Sequence, residues 1–357
     1  CLLSRGLGDV YKRQVNYREI RNNQSNPLME KLNMVPTFGW PPSDILLASA
    51  PGTAVPLIPV GRLAAIDAEE VKSYLDKVRE YEQAEQTPSP LISEKAWMKN
   101  FLHVVGGKDS LESDAFGQYM AGYARTAADT LLGAIVNTFT KTSASVVQQA
   151  SGQRIGELFQ SGLGFIGYFG HSSANTFEFN LSNPETYNNE GKYPFFNVSG
   201  CNAGNYYVFD SLRFAGNLTI SEKYVLARQK GSIGFLADTH FGIPPFLNYF
   251  NSQLYRLFSG PMYGQPMGSV IRRTDSLLDG NNPLLDFYPR IHLEQINLHG
   301  DPALHLNAPA KPDYVIEDPL VRISPNIISL ADNSFALKVQ MMNIGKATND
   351  SVFITIK

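Results

Sequence analysis

Short apolar segments alternate with stretches of helical periodicity over most of the chain, and this alternation limits its possible folds more than any other feature. Strands that are apolar on both faces and are joined by amphipathic helices indicate a mostly parallel sheet covered by helices on both sides. We therefore predict an α/β fold. The predicted strands cover residues 55–61, 101–105, 164–169, 194–199 and 232–237, and the predicted helices cover residues 67–82, 117–132, 221–230 and 246–258.

Near the end of the chain the composition changes, which indicates a second, β-rich part. A proline-rich linker, NAPAKPDYVIEDP, leads into a segment where Phe335 and Leu337 alternate with small or polar residues, and the final SVFITIK also has strand character. These strands are too few for a complete sandwich. We predict one domain at residues 15–310, followed by the truncated beginning of an immunoglobulin-like domain at residues 312–357.

The first 14 residues, CLLSRGLGDVYKRQ, are left out of the fold prediction. They have no initiator Met, their apolar part is too short for a signal peptide and no small-residue cleavage site follows. We interpret residues 1–14 as a translated adapter or assembly artefact. Because Cys1 lies within them, the remaining chain has a single cysteine, Cys201, which excludes a disulfide framework inside it.

Composition and charge narrow the classes of partner and cofactor. The net charge of -3 and the isoelectric point near 6.1 favour neither nucleic acid nor an acidic membrane surface as a partner. No run approaches 18 uninterrupted apolar residues, so no membrane span is expected. The histidines are scattered and a single cysteine cannot build a cysteine-rich zinc site, so no metal or cofactor is predicted. Asp109, Glu112 and Asp114 are compatible with a structural calcium ion, and equally with a solvated loop or the first turn of a helix.

Two predicted strands end at residues that can carry nucleophilic catalysis. The segment 164–169 leads into His171, and the segment 194–199 leads into Cys201. If the two strands are parallel neighbours, the imidazole and the thiol lie at the same edge of the sheet, where active groups gather. A thiolate is the attacking species, and a nearby histidine takes its proton or holds it as an ion pair. Spacing alone leaves open that Cys201 is a small core residue and His171 a satisfied polar one.

Other candidate residues have weaker support. His103 is expected in the core, and His240 follows a strand and is expected in a substrate pocket at most. His299 is followed by a glycine and by Asp301, an acid that could orient it, but a terminal strand and turn explain this segment better. The glycine pattern at 162–167 lies at and within a strand with no helix after it, so it does not predict a dinucleotide site.

The segments around these residues are similar to those of a known family. GYFGHSS, followed thirty residues later by FFNVSGCNAGNY, resembles the catalytic His and Cys segments of the gingipain family of cysteine peptidases. Three further segments resemble, in order, the family's upstream strand–GR–helix segment, its strand and pocket loop after the Cys, and its closing GDP motif: VPLIPVGRLAAIDAEEVKSYLDKVREYE, GSIGFLADTHFG and INLHGDPALHL. The resemblance covers about residues 30–310 and implies a caspase-like fold, in which the catalytic His and Cys follow adjacent parallel strands.

The resemblance also implies roles for individual residues. Cys201 is expected to be the nucleophile and His171 the general base, with an oxyanion hole made by the backbone N–H groups of Cys201 and Ser172. The family usually has Gly at the position of Ser172, and a serine donates the same N–H if its φ and ψ suit a residue with a Cβ. The loop expected to shape the substrate pocket comprises Thr239, His240 and Phe241.

The expected activity is cleavage of peptide bonds in proteins or peptides through a thioester acyl-enzyme, without a cofactor. The resemblance further implies a periplasmic, cell-surface or extracellular protein, often exported by type IX secretion, whose components are then expected partners. Two alternatives stay open. One is a sortase-like transpeptidase of that secretion system, which would transfer the acyl group to an amine. The other is a non-catalytic surface protein that retains the fold as a scaffold, an option motivated by Ser172.

Overall fold

A computed structural model of the chain describes residues 17–33, 35, 37–87, 89, 91–141, 149–181, 183–280, 287–327 and 334–355. The main strands are β1 (Asn100–Gly106), β2 (Ile135–Thr140), β3 (Phe165–Gly170), β4 (Phe195–Ser199), β5 (Gly234–Asp238) and β6 (Ile296–Gly300). They form one six-stranded sheet with the order β2-β1-β3-β4-β5-β6. All neighbouring strands are parallel except β5 and β6, which are antiparallel. The predicted mostly parallel sheet is confirmed.

Helices cover both faces of the sheet and enclose two apolar cores, as predicted. The short helices before β1 are α1 (Tyr17–Asn22), α2 (Pro27–Leu32), α3 (Ile45–Ala48) and α5 (Ile92–Lys95). The other helices are α4 (Ala68–Gln86), α6 (Ser110–Ala128), α7 (Gln149–Ser161), α8 (Ile220–Leu226), α9 (Pro244–Phe258), α10 (Met267–Gly280) and α11 (Phe287–Gln295). One core lies under α6, α9 and α10, and the other lies under α4, α7 and α8. Within the described residues, no helix combines the length and the apolar character needed to cross a membrane.

Most predicted elements are confirmed, and the differences have local causes. The strand prediction at 55–61 is wrong, because two prolines in this segment lack the N–H groups that a sheet ladder needs. The helix predicted at 117–132 begins earlier, at Ser110. It does so because Asp109 caps it, accepting a hydrogen bond from the N–H of Glu112 at 2.9 Å.

A buried ion pair attaches the segment before α4 to the edge of the sheet. Arg62 donates two hydrogen bonds to the carboxylate of Asp44, and both side chains are almost fully buried. The hydroxyl of Tyr207 also donates to Asp44, at 2.8 Å. Asn297 in β6 completes the network, since it accepts from the N–H of Asp44 and donates to the hydroxyl of Tyr207. This network joins the N-terminal segment, the chain after β4 and the edge strand.

The C-terminal region forms two small antiparallel pairs. β7 (Tyr314–Val315) pairs with β10 (Met342–Asn343), and β8 (Val321–Ser324) pairs with β9 (Ala336–Val339). The strand predicted for the end of the chain is wrong over residues 351–355, which form no strand, and residues 356–357 lie outside the described residues. The immunoglobulin-like domain and the domain boundaries stay predictions, and the segment interpreted as an artefact lies outside the described residues.

Candidate active site

The carboxyl ends of β3 and β4 bring the predicted histidine and cysteine to one edge of the sheet. The two strands are parallel neighbours in matching register, so the residues that follow them, His171 and Cys201, leave the sheet side by side. The strand ends lie so close together that a Cβ on Gly200 would come within 2.6 Å of the carbonyl oxygen of Gly170. The two exit loops are also bonded to each other, since the hydroxyl of Ser172 donates to the carbonyl of Cys201 at 2.8 Å.

A carboxylate holds the ring of His171. Nε2 of His171 lies 2.8 Å from Oε2 of Glu112, in the first turn of α6, which follows β1. Partial burial raises the pKa of Glu112, but hydrogen bonds from Lys108 and His171 outweigh this effect and lower it to about 2. An ionised carboxylate can only accept hydrogen bonds, so Nε2 of His171 carries a proton. Nδ1 is therefore the nitrogen that remains to accept a proton from another group.

The backbone of His171 is held from two sides. Its N–H donates to the carbonyl of Gly106 at 3.0 Å. Its carbonyl accepts from the hydroxyl of Tyr168 at 2.6 Å and from the N–H of Glu178 at 3.1 Å. The ring packs near Phe116 and is half-exposed, so it is fixed in place and still open to a substrate.

Cys201 is a free, partly buried thiol. Its Sγ lies 3.8 Å from the carbonyl oxygen of Gly242, to which the thiol donates. Partial burial raises the pKa of the Cys201 thiol above its ordinary value. The resting group is therefore the neutral thiol, and a nucleophilic thiolate requires a base to remove the proton.

The backbone N–H of Ser172 points away from its own hairpin. Ser172 and Phe177 face each other in an antiparallel bridge whose hydrogen bonds are made by the residues on either side of them. In such a non-hydrogen-bonded pair the N–H groups point away from the partner strand. The described non-glycine residues with positive φ do not include Ser172, so its backbone accommodates a Cβ without strain.

The loop after β5 lies beside Cys201 and is held in place by α11. Thr239 donates its N–H to the carbonyl of Gln295 at 3.0 Å, and the amide side chain of Gln295 donates to the carbonyl of Phe241 at 2.7 Å. The N–H of Ile243 donates to Nε2 of His292 at 2.8 Å. Phe241 is 64% exposed, so an anchored backbone carries an open aromatic side chain.

The three residues expected to shape the substrate pocket have different environments. Thr239 is fully buried and its hydroxyl donates to the carbonyl of Pro42 at 2.6 Å, so its side chain supports the loop and is not open to a substrate. The assignment of this loop to a substrate pocket stays a prediction. The ring of His240 lies edge-on to Trp40 at 5.4 Å and to Phe241 at 4.3 Å. His240 and Phe241 thus belong to one aromatic cluster beside the nucleophile loop.

Two other histidines lie in the core and away from this edge. His103 in β1 is fully buried and its Nε2 lies 2.9 Å from the hydroxyl of Tyr255, which confirms the expected core position. His299 in β6 is also fully buried and accepts a hydrogen bond from the N–H of Ala64 at 3.1 Å. Burial lowers the pKa of both histidines to about 3, so both are neutral core residues.

The contact of Glu112 with His171 was not predicted, although a signal existed. Glu112 follows the strand β1, just as His171 and Cys201 follow β3 and β4. The sequence assigned it only to an acidic cluster with Asp109 and Asp114. In the structure Asp109 caps α6 and Asp114 is exposed. Within the described ranges, no group of three or more histidine, cysteine, aspartate or glutamate side chains is arranged to hold a metal ion.

Comparisons with known proteins agree with this fold. The family model described as peptidase family C25 matches residues 7–307. The crystal structure of the Arg-specific cysteine proteinase gingipain R is similar, with a TM-score of 0.61 and 15% sequence identity, over 80% of this chain and 65% of that chain. A complex of the pro- and mature domains of RgpB from Porphyromonas gingivalis has a TM-score of 0.58 and 15% identity, over 80% of this chain and 66% of that chain.

A third solved structure, described as that of a protease, has a TM-score of 0.57 and 14% identity, over 79% of this chain and 65% of that chain. The chain thus spans slightly less than two thirds of each of these solved chains. At this level of identity the similarity shows the fold. Among curated proteins, no sequence matches the chain significantly.

Proposed function

The chain belongs to peptidase family C25, and from this premise we propose that it is a cysteine peptidase in which Cys201 and His171 form the catalytic pair. One observation carries the proposal: a thiol and an imidazole leave adjacent parallel strands side by side, and a carboxylate holds Nε2 of the imidazole. A histidine with only a structural role needs neither a half-exposed ring nor an acid on Nε2. The proposed substrates are proteins or peptides.

The arrangement supports a sequence of balanced proton transfers. Nδ1 of His171 takes the proton of the Cys201 thiol as Sγ attacks the carbonyl carbon of the scissile bond. The carboxylate of Glu112 accepts the hydrogen bond from Nε2–H of His171 throughout and stabilises the imidazolium that forms. The imidazolium then gives its proton to the leaving amine, which leaves a thioester on Cys201. A water molecule then attacks the thioester while Nδ1 of His171 takes its proton. The acyl group is released as the acid, and His171 returns the proton to the sulfur of Cys201.

The oxyanion of each tetrahedral intermediate is assigned to the backbone N–H groups of Ser172 and Cys201. The outward direction of the Ser172 N–H and the bond between its side chain and the Cys201 carbonyl support this assignment. Removing one donor of this kind typically lowers kcat by about 10²–10³-fold. The donors belong to the backbone, so a side chain at position 172 does not in itself abolish them.

Substrate contact is assigned to His240 and Phe241, with Thr239 as a buried support for their loop. Phe241 directly precedes Gly242, whose carbonyl lies 3.8 Å from the nucleophilic sulfur. Its exposed ring is therefore assigned to contact a bound peptide near the scissile bond. Because α11 holds the backbone of this loop at several points, the loop offers a preformed aromatic surface to the substrate.

A peptide-library cleavage assay tests the proposal. The wild-type protein is expected to cleave peptide bonds, Cys201→Ala to abolish cleavage, and His171→Ala to lower kcat by about 10²–10⁴-fold. His305→Ala, which removes a partly exposed histidine, is the matched control and is expected to retain activity. Products are analysed with and without an added amine, because an amide product would indicate acyl transfer where a free acid indicates hydrolysis. Cleavage that persists in Cys201→Ala would refute the assignment.

Family membership also supports the proposal that the protein acts outside the cytoplasm, at the cell surface or in the medium. The link to type IX secretion rests on the sequence resemblance alone. Fractionation of the native host followed by immunodetection tests the location: the protein is expected in the surface or secreted fraction. Recovery only in the cytoplasmic fraction would contradict this part of the proposal.

A further inference from the structure

The side chain of Ser172 makes a contact that a glycine at this position could not make. Its hydroxyl donates to the carbonyl oxygen of Cys201 at 2.8 Å. This hydrogen bond crosses from the loop after β3 to the loop after β4. The carbonyl that it holds belongs to the nucleophile residue itself.

The same peptide group is held at its other end by a third loop. The N–H of Asn202 donates to the carbonyl of His240, in the loop after β5, at 2.7 Å. The peptide between Cys201 and Asn202 is therefore bonded at its oxygen and at its nitrogen, from opposite sides. Asn202 itself has φ of 58°, in the left-handed region, where a residue with a Cβ is strained and needs support from its surroundings.

The residue before Cys201 is a glycine, which has no side chain that could fix the peptide leading to the nucleophile. Gly200 precedes the nucleophile, and it must be glycine because a Cβ there would overlap the Ser172 hydroxyl and lie 2.6 Å from the Gly170 carbonyl. Glycine has more backbone freedom than any other residue. The thiol also donates to the carbonyl of Gly242, but this bond is lost when the proton leaves the sulfur. In the reacting thiolate, the orientation of Cys201 therefore depends on its carbonyl and on the peptide that follows.

We propose that the Ser172 hydroxyl is a positioning group for the nucleophile, a role additional to that of the Ser172 backbone N–H. By fixing the Cys201 carbonyl it sets the direction of the Cys201 side chain and of its N–H in the reacting state. The inference rests on the proposed function, because it concerns the same catalytic pair. It also gives a physical role to the side chain that departs from the glycine of the family pattern.

Three substitutions separate the hydroxyl from the backbone donor, because Ser172→Ala, Ser172→Gly and Ser172→Thr all keep the N–H. Loss of one neutral hydrogen bond is expected to lower kcat about tenfold in the Ala and Gly variants, with KM changed less than twofold. Ser172→Thr retains a hydroxyl and is expected to stay within threefold of the wild type. The position of the pH–rate profile is expected to be unchanged, because the His171–Glu112 pair is not altered.

Ser173→Ala is the matched control. Among the described residues its hydroxyl bonds within its own loop, to Thr176 and to the N–H groups of Asn175 and Thr176, so kcat is expected to stay at the wild-type level. Thermal melts of all variants accompany the kinetics and identify any loss of folding. Wild-type kcat in folded Ser172→Ala, or a Thr variant as slow as the Ala variant, would overturn the inference.

The rate of alkylation by a peptidyl acyloxymethyl ketone distinguishes failure of this inference from failure of the proposed function. If the wild-type protein is alkylated at Cys201 and folded Ser172→Ala reacts at the same rate, the positioning role is refuted and the peptidase assignment is retained. If the folded wild-type protein is not alkylated at all, the proposed function is refuted, and the inference with it. About tenfold slower alkylation of Ser172→Ala, restored in Ser172→Thr, would support both.

Discussion

Glu112 explains how a half-exposed histidine can keep a single tautomer and orientation. Its two carboxylate oxygens contact Lys108 and His171, and it stays ionised because these hydrogen bonds outweigh the effect of burial on its pKa. The histidine is thereby left with Nδ1 as its basic nitrogen. Without this carboxylate the ring could rotate, or carry its proton on Nδ1, the nitrogen that we propose as the base.

Replacing Glu112 by glutamine is expected to lower kcat by about 10–100-fold, with little effect on KM. This loss is smaller than the roughly 10⁴-fold effect of altering a buried triad carboxylate, because Glu112 is partly exposed to water. Asp114→Asn changes an exposed acid on the same turn of α6 and is expected to have wild-type kcat. Steady-state kinetics with one peptide substrate decides the matter. Equal losses in both variants would point to a general charge effect and contradict the account.

Asp238, the last residue of β5, is a buried acid. Within the described part of the chain neither of its carboxyl oxygens makes a hydrogen bond, and the nearby amide of Gln295 donates instead to the carbonyl of Phe241. Burial raises the pKa of Asp238 well above its ordinary value. The folded state therefore binds a proton that the unfolded state releases above its pKa of about 3.9.

Stability is thus expected to fall as pH rises above about 3.9 towards the raised pKa of Asp238 in the folded protein. Asp238→Asn removes this titration, so it is expected to raise the melting temperature at pH 7.5 more than at pH 4.5. Each kcal/mol of recovered stability is expected to raise the melting temperature by about 2–4 °C. Thermal melts at the two pH values give the comparison. A variant that is equally or less stable than the wild type at pH 7.5 would contradict the uncompensated burial of this acid.

At the scale of elements, buried strands were the most predictable part of the fold. β1, β3, β4 and β5 are almost entirely buried, so they are mostly apolar and their sequences predict them. β2 lies at the edge of the sheet with all its residues exposed or partly exposed, and its mixed polarity gave no such signal. Likewise, α10 starts at Met267, and the next two residues are a glycine and a serine, which have low helix propensity. Packing overrides this low propensity, so the sequence does not predict where the helix begins.

The same limit applies to the candidate site. His171 and Cys201 were located because they directly follow two recognisable strands. The contact of Glu112 with His171 depends on β1 lying beside β3, and the order of strands in a sheet follows from packing between distant segments. The anchoring of the loop after β5 by Gln295 and His292 depends in the same way on the position of α11.

The close approach of β3 and β4 makes a prediction about glycines. Gly200→Ala would set a Cβ 2.6 Å from the carbonyl of Gly170 and is expected to destabilise the protein by about 1–3 kcal/mol and to abolish activity. Gly122→Ala makes the same chemical change in the interior of α6, where no atom lies within 4 Å of the added Cβ. It is expected to stabilise the protein by roughly 0.5–1 kcal/mol. Denaturation midpoints and kcat test the pair, and a tolerated Gly200→Ala would contradict the geometry.

At the scale of the whole molecule, segments distant in sequence converge on the edge of the sheet next to the candidate site. The Arg62–Asp44 pair fixes the N-terminal segment against β6, and Pro42 in this segment accepts the hydroxyl of Thr239. The loop after β5, which lies beside Cys201, is therefore hydrogen-bonded to a residue near the beginning of the described chain. The integrity of the site depends on this long-range attachment.

Arg62→Met is expected to lower the free energy of unfolding by about 3–5 kcal/mol, because it leaves the buried carboxylate of Asp44 without its cation. Adding Asp44→Leu to this variant is expected to recover part of the loss. Arg79→Met removes an exposed arginine that pairs with Asp76 and is expected to change stability by less than about 1 kcal/mol. Urea unfolding compares these three variants with the wild type, and similar effects of the two single arginine substitutions would contradict the assigned role of the buried pair.

The central claim, that Cys201 is a nucleophile activated by His171, is tested most directly by covalent labelling. Folded protein is treated with a peptidyl acyloxymethyl ketone, and the adduct is quantified by intact mass spectrometry and located by peptide mapping. The account predicts one adduct per chain, on Cys201, absent in Cys201→Ala and formed much more slowly in His171→Ala. No adduct on the folded wild-type protein with any such reagent, or an adduct that persists in Cys201→Ala, would contradict it.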